Sequence, residues 1–391
     1  MKKIHIGLLP RIIIAIIFGI LLGYVLPEDI IRVFTTFNGV FGEFLGFCIP
    51  LIIVGLVTIA IADIGKNAGK LLLITALIAY MATLFSGFLA YFVGAETFPA
   101  LINPQHAVTN LDKVTNALPF FTISIPPLMN VMTALVSSFI FGLCIAKLHA
   151  NTLKEGFREL QRVIIMIINK VIIPLLPLYI FGIFLNMTYS GEVFSILSVF
   201  AKIIGVIFIL HLFLLVFQYA IAALFARKNP FKLLYRMLPA YFTALGTQSS
   251  AATIPVTLEQ TEKNGVSKDV AGFVVPLCAT IHLSGSTMKI VCCAIALMIM
   301  QGMSFDFATF AGFIFMLGIT MIAAPGVPGG AIMASLGVLQ SILGFDESAQ
   351  ALMIALYIAM DSFGTACNVT GDGAIAIIID KIVSRKGSKS R

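Results

Sequence analysis

Charge is the scarcest property of this sequence. Only 11% of its 391 residues are Asp, Glu, Lys or Arg, against 59% hydrophobic, and the mean hydropathy is +1.05. So little charge cannot coat a water-soluble globule of this size, and several long segments must lie in hydrocarbon. The six cysteines (Cys48, Cys144, Cys278, Cys292, Cys293 and Cys367) form no Cys-x-x-Cys pair and show no metal-ligand spacing. They read as small buried apolar residues rather than a redox or zinc motif. No small-residue cleavage site follows the first apolar run, "MKKIHIGLLPRIIIAIIFGILLGYVL", which is long enough to span. It is expected to be a first membrane helix, not a removed signal. The formal charge of +7 does not mark a nucleic-acid partner, because the basic residues lie in short clusters between apolar segments. Membrane topology accounts for them better.

Apolar runs predict helices near 7–26, 38–62, 71–95, 119–148, 164–189, 193–226, 270–301 and 348–380. Basic residues cluster at Lys2 and Lys3, Lys66 and Lys70, Lys147 to Arg162, and Arg227 to Arg236, whereas the loops between carry Glu28 and Asp29, Glu96 and Asp112, and Glu192. That alternation places the N-terminus and each basic loop in the cytoplasm, and the tail "DKIVSRKGSKSR" with them. Two further segments fit the alternation only if they dip into the membrane and return. "LPAYFTALGTQSSAATIPVTLEQTEKNG" has basic residues on both sides, and "FATFAGFIFMLGITMIAAPGVPGGAIMASLGVLQSILG" has acidic ones, each broken midway by Gly, Ser or Pro. The expected architecture is all-α, with eight crossings and two re-entrant hairpins aimed at each other from opposite faces. Unwound backbone at membrane depth survives only inside protein or against a cavity, and paired interrupted segments point to a transporter site. Two short kinked helices packed on a core are the plainer alternative for each.

The last helix carries "MDSFGTACNVTGDG", with Asp361 and Asp372 and no basic residue between. Asp361, Thr365, Asn368 and Asp372, at i, i+4, i+7 and i+11, form one polar stripe about 16 Å long. An aspartate at the centre of a membrane helix costs on the order of 2.5–3.5 kcal/mol on insertion scales. Counter-charges must be supplied, by a substrate ammonium, a metal cation or a proton, or by a lysine from another helix such as Lys289. Upstream, "PLCATIHLSGSTMKI" interrupts the 270–301 run, and on a continuous helix His282, Gly285 or Ser286, and Lys289 share a face. His282 is either a hydrogen-bonded structural residue or, with Lys289, part of a functional centre. His5, His106, His149 and His211 receive no role.

"SSAATIPV", "PLCATIHLSGST", "GVPGGAIM" and "MDSFGTACNVTGD", in this order, resemble the two hairpin tips and the two adjoining helices of the dicarboxylate/amino acid:cation symporter family, the glutamate and neutral amino acid carriers. The resemblance covers essentially the whole chain. It implies scaffold and trimerisation helices in 1–226, with the third and sixth helices joining the moving part. It also implies a transport core in 227–391, made of hairpin 1 (231–264), helix 7 (270–301), hairpin 2 (306–343) and helix 8 (348–384). Gln248, Ser249 and Ser250 would form the first tip against the substrate, with Ser286 nearby. Val327, Pro328 and Gly329 would form the second tip, the gate. Asp361 would hold the α-ammonium, with Gly364, Thr365 and Asn368 around the substrate. Asn368, Asp372, His282 and a backbone carbonyl of the helix containing Cys278 would frame a sodium site.

Departures from the family pattern bear on substrate and ion. Where acidic-substrate members place an arginine, this chain has Gly364 or Gln248, so a substrate carboxylate would lose its bidentate partner. A small neutral amino acid such as serine, threonine or alanine is therefore expected. The family's "NMDGT" is here "HLSGS": Ser284 stands where an acid belongs, and Thr83 of another ion site is followed by Leu84. Sodium is the expected coupling ion and protons the alternative, with Lys289 or His282 as a tethered charge. The resemblance implies a homotrimeric, elevator-type symporter of the inner membrane in contact with lipid, not an enzyme. The runner-up is a proton-coupled or sodium-independent carrier of dicarboxylates or acidic amino acids. An intramembrane aspartyl protease fails because Asp361 and Asp372 lie too far apart on one helix. A serine hydrolase on Ser249 or Ser250 lacks partners; a passive channel is harder to separate from a carrier by sequence, although hairpins aimed at mid-membrane suit occlusion.

Overall fold

In the computed structural model, residues 8–66, 70–102, 117–148, 150–191, 193–324 and 328–387 are described. Every regular element among them is helical. The first group comprises α1 (Leu8–Gly23), α2 (Glu28–Lys66), α4 (Val131–Leu148), α5 (Asn151–Ile167) and α6 (Ile173–Tyr189), with a π-helical turn, Ile168–Ile172, joining the last two. α1 packs on α6, and α2 packs on α4, α5 and α6. Asp63 near the end of α2 pairs with Lys154, and with Arg158 at 3.3 Å, fixing α2 to α5.

The second group contains α3 (Lys70–Leu101), α7 (Val193–Ala226) and everything after. α3 lies along α12 (Ser284–Met300), and α7 lies along α16 (Asp361–Gly387) and α12. Two helical hairpins belong here. After the short α8 (Pro230–Arg236), the first pairs α9 (Leu238–Thr247) with α10 (Ser250–Lys263), turning at Gln248 and Ser249. The second pairs α13 (Phe307–Ile322) with α14 (Gly330–Leu343). Helix starts follow from local chemistry: Asp306 accepts from Thr309 N at 2.8 Å, Asp346 accepts from Ala349 N at 2.8 Å ahead of α15 (Glu347–Ala359), and Asn229 accepts from Phe231 N and Lys232 N.

The polarity of the molecule is inverted relative to a soluble fold. All residues of α12 but Ile299 are buried, and α16 buries Asp361, Thr365, Asn368, Thr370 and Asp372. Outward faces of α1, α3 and α7 expose Ile13, Phe18, Leu73, Leu77, Ile209 and Leu212 instead. Apolar residues outside and polar ones inside suit a hydrocarbon surround. Among the described residues, five helices are long and apolar enough to cross a membrane, and α15 with α16 makes a sixth if that pair, bent by 63°, is one span.

Three expectations meet a different local structure. The run 119–148 becomes helical only at Val131, because Pro119, Pro126 and Pro127 deny the preceding stretch its amide donors. That stretch is tied down by side chains instead: Phe120 N donates to Thr36 Oγ1 at 2.8 Å, and Ile125 N to Glu43 Oε2 at 2.7 Å. The run 270–301 is two helices, α11 (Lys268–Ile281) and α12, separated by His282 in extended geometry and by Leu283, which is neither helical nor extended. Regular helix also breaks at Met360, one residue before Asp361.

Candidate functional site

Four elements converge on α12 and the first three turns of α16. The two helices run antiparallel, so contacts pair high numbers with low: Lys289 with Asp361, Gly285 with Asn368, and His282 with Asp372. Eleven residues of α16 rise about 16 Å, whereas seven residues of unbroken helix rise only about 10 Å. Taking His282 and Leu283 out of helical geometry, with His282 extended, recovers part of the difference. The break lets one short strip of α12 serve the whole polar stripe.

At the first level of the stripe, Lys289 Nζ lies 3.4 Å from Asp361 Oδ1, 3.3 Å from the Tyr357 carbonyl and 3.4 Å from the centre of the Tyr357 ring. The other carboxylate oxygen, Oδ2, accepts from Gly329 N at 2.8 Å. The second hairpin therefore closes on Asp361 through a backbone amide, which Gly329 presents from left-handed geometry with φ of +74°. The first hairpin arrives one residue away, where Gln248 Nε2 donates to Ser362 Oγ at 2.9 Å. Gln248 itself holds φ of +53°, uncommon for a residue with a side chain. Ser249 caps α10 by accepting from Ala252 N, and Ser250 is buried beside it.

At the second level, Asn368 Oδ1 accepts from Gly285 N at 2.8 Å and Ser286 N at 3.3 Å, while its Nδ2 donates to Ser286 Oγ at 3.0 Å. Two of the amide donors left free by the start of α12 are thereby satisfied. Tyr357 OH also donates to Ser286 Oγ at 3.0 Å, and His211 Nε2 lies 3.0 Å from the Gly285 carbonyl. At the third level, His282 Nδ1 lies 2.9 Å from Asp372 Oδ1, and Gln218 Nε2 donates to Ser284 Oγ at 3.2 Å. The Cys278 carbonyl accepts from His282 N at 2.8 Å. One buried oxygen of this layer, Gln218 Oε1, has no hydrogen-bond partner. Neutral oxygens beside a carboxylate are donors that a hard cation takes. No group of three or more His, Cys, Asp or Glu side chains among the described residues could hold a metal ion.

The remaining candidates are placed as follows. Thr365 is buried on the same helix, and Gly364 faces Lys289 so closely that a Cβ there would stand 2.9 Å from Nζ. Thr83 is buried on α3 and donates its hydroxyl to the Ala79 carbonyl of its own helix at 2.9 Å. Val327 lies outside the described residues, as do His5, His106 and His149.

Sequence reasoning missed Tyr357, His211 and Gln218. His211 and Gln218 are i and i+7 in an otherwise apolar helix, so their shared face was a usable signal. Tyr357 gave none, since its ring and carbonyl matter only because α15 bends into α16.

Comparison with known proteins adds to this geometry. Residues 8–382 match the model of the sodium:dicarboxylate symporter family. The chain is similar to the serine/threonine transporter SstT of Acinetobacter baumannii, 27% identical over 98% of each chain. Similarity to the neutral amino acid transporter B(0) of Rattus norvegicus is 30% identity over 41% of this chain and 29% of that protein.

Proposed function

The chain belongs to the sodium:dicarboxylate symporter family, a family of membrane carriers rather than enzymes, and on that premise we propose that it moves small neutral amino acids such as serine, threonine or alanine. The observation that carries this reading is Asp361. Its carboxylate is buried at the start of α16, both hairpins reach it or its neighbour, and the Gly329 amide of one tip already bonds it. An α-ammonium placed there would be held between a carboxylate and two movable tips. The relatives, a serine/threonine transporter and a neutral amino acid transporter, point the same way.

Coupling is to a cation, with sodium as our choice, taken between Asn368 and Asp372, with the unpartnered oxygen of Gln218, a residue that contacts His282, as a further candidate. The mechanism we favour is alternating access of the elevator type. A core of residues 227–391, joined by α3 and α7, slides against a scaffold of the other early helices. The packing of α3 on α12 and of α7 on α16 supports that division. Eight crossings with two re-entrant hairpins, both termini cytoplasmic, and a homotrimer in the cell's inner membrane complete the reading. The alternation of basic and acidic loops supports the topology, and the exposed apolar faces of α1, α3 and α7 support the lipid contact.

A second reading is a proton-coupled or sodium-independent carrier of acidic amino acids or dicarboxylates. One observation favours it: Lys289 brings a buried ammonium beside Gly364. Uptake by purified protein in proteoliposomes, against all common amino acids with sodium or choline outside, separates the two. Saturable, sodium-stimulated accumulation of serine, threonine or alanine is expected; preference for aspartate or glutamate, undiminished in choline, would replace the first reading with the second.

A further inference from the structure

We propose that Lys289 is a built-in counter-cation for Asp361, which takes the place of a mobile ion at the substrate centre and yields Asp361 to the α-ammonium of the incoming amino acid. This rests on the reading of Asp361 as the ammonium-binding acid. The pair is fully inside the protein: Lys289 is 0% exposed and Asp361 3%. A lone carboxylate at that depth requires a positive partner, and the partner here is covalently part of the chain.

Three features distinguish a displaceable partner from a fixed structural bridge. First, the contact is loose. Charge-assisted N–H···O bonds run about 2.7–2.9 Å, whereas Lys289 Nζ and Asp361 Oδ1 are 3.4 Å apart. Second, the ammonium has an alternative seat without moving far, because the Tyr357 carbonyl is at 3.3 Å and the Tyr357 ring centre at 3.4 Å. A carbonyl and an aromatic face together stabilise an ammonium that has given up its carboxylate. Third, the second oxygen of Asp361 binds the hairpin tip through Gly329 N at 2.8 Å. The tip can thus close on a charge-compensated site when no cargo is present, and a closed, compensated core is the form able to cross hydrocarbon. Gly364 leaves the space for this arrangement, since any Cβ there would stand 2.9 Å from Nζ.

The charge count then differs from that of a site lacking the lysine. With Lys289 present, Asp361 needs no sodium in either limb of the cycle, and sodium binding is confined to the Asp372 level. Removing the lysine creates a demand for one more cation.

The test measures thermal stability of the full-length purified protein against sodium concentration, without amino acid, with choline holding ionic strength. For each bound ion, at concentrations above its dissociation constant, a tenfold rise in sodium raises the folded-to-unfolded ratio about tenfold. Lys289→Gln is expected to steepen this dependence by one ion's worth, and Lys289→Arg to leave it unchanged. A dependence in Lys289→Gln equal to wild type would overturn the proposal. If Lys289→Gln does not fold, the double variant Lys289→Gln/Asp361→Asn, with both charges gone, decides. An unchanged sodium dependence is expected, and a shallower one would mean that sodium had served Asp361 all along. Because no amino acid enters the measurement, its failure is distinguishable from failure of the transport assay.

Discussion

Gly285 and Gly364 sit where α12 and α16 come closest, and they are glycines for different reasons. A Cβ at Gly285 would stand 2.7 Å from Cys367 Cβ and 2.8 Å from the Gly364 carbonyl, so backbone would have to move. At Gly364 the obstacle is the far end of a flexible lysine. Gly285→Ala is therefore expected to cost about 1–3 kcal/mol of overpacking strain and Gly364→Ala less, as read from melting curves. Combining Gly364→Ala with Lys289→Gln should cost less than the sum of the two, because the clash is with Nζ. The His282–Asp372 contact invites the same treatment. Removing the histidine leaves a buried carboxylate short of a donor, at about 1–3 kcal/mol. The double variant His282→Ala/Asp372→Asn should be less damaged than additivity requires, and strict additivity would show that the two side chains do not interact. At this scale the sequence revealed Asp361, Asn368 and Asp372 through their helical spacing. It could not reveal that Lys289 answers one acid and His282 the other, since that pairing depends on the antiparallel register of two helices more than seventy residues apart.

Elements differ in how openly the sequence announces them. Both hairpins were legible because loop charges alternate and a Gly, Ser or Pro cluster breaks each apolar run. The break between α11 and α12 was not, because "ATIHLSGS" contains no proline and its polar residues fit one face of a continuous helix. It opens where His282 reaches Asp372, so a tertiary contact overrides local propensity there. The first tip carries an elementary prediction. Ser249 caps α10, and Ser249→Ala should destabilise the hairpin by about 1 kcal/mol. On our functional reading it should also raise the KM for uptake, whereas Ser249→Thr, which keeps the capping hydroxyl, should restore both. Loss of stability with an unchanged KM would confine this serine to capping.

For the whole molecule, the division into scaffold and core has a place where it can be probed. A cavity of about 490 Å³ opens between the two groups, lined by Leu56, Ile59 and Asp63 of α2, by Leu277 and Thr280 of α11, and by the end of α13 near Ala324. On the proposed division, residues facing each other across it would belong to parts that slide past one another. Cysteines at positions 56 and 277, in a background with the exposed Cys144 replaced, can be joined by a short bifunctional thiol reagent. Crosslinking is expected to abolish uptake reversibly, while the single-cysteine variants keep it. Full uptake by the crosslinked protein would rule out sliding at this seam.

The amino-acid sequence by itself determined that this chain lives in a membrane, that two of its apolar runs are broken midway into helix pairs, and that one helix carries carboxylates needing positive partners. These follow from transfer free energies and helical periodicity, which act on neighbours along the chain. Only the tertiary structure decided which group answers each carboxylate and which helix bends to allow it. Electrostatic pairing in a low dielectric depends on distances between segments remote in sequence, and only the packed helices set those distances.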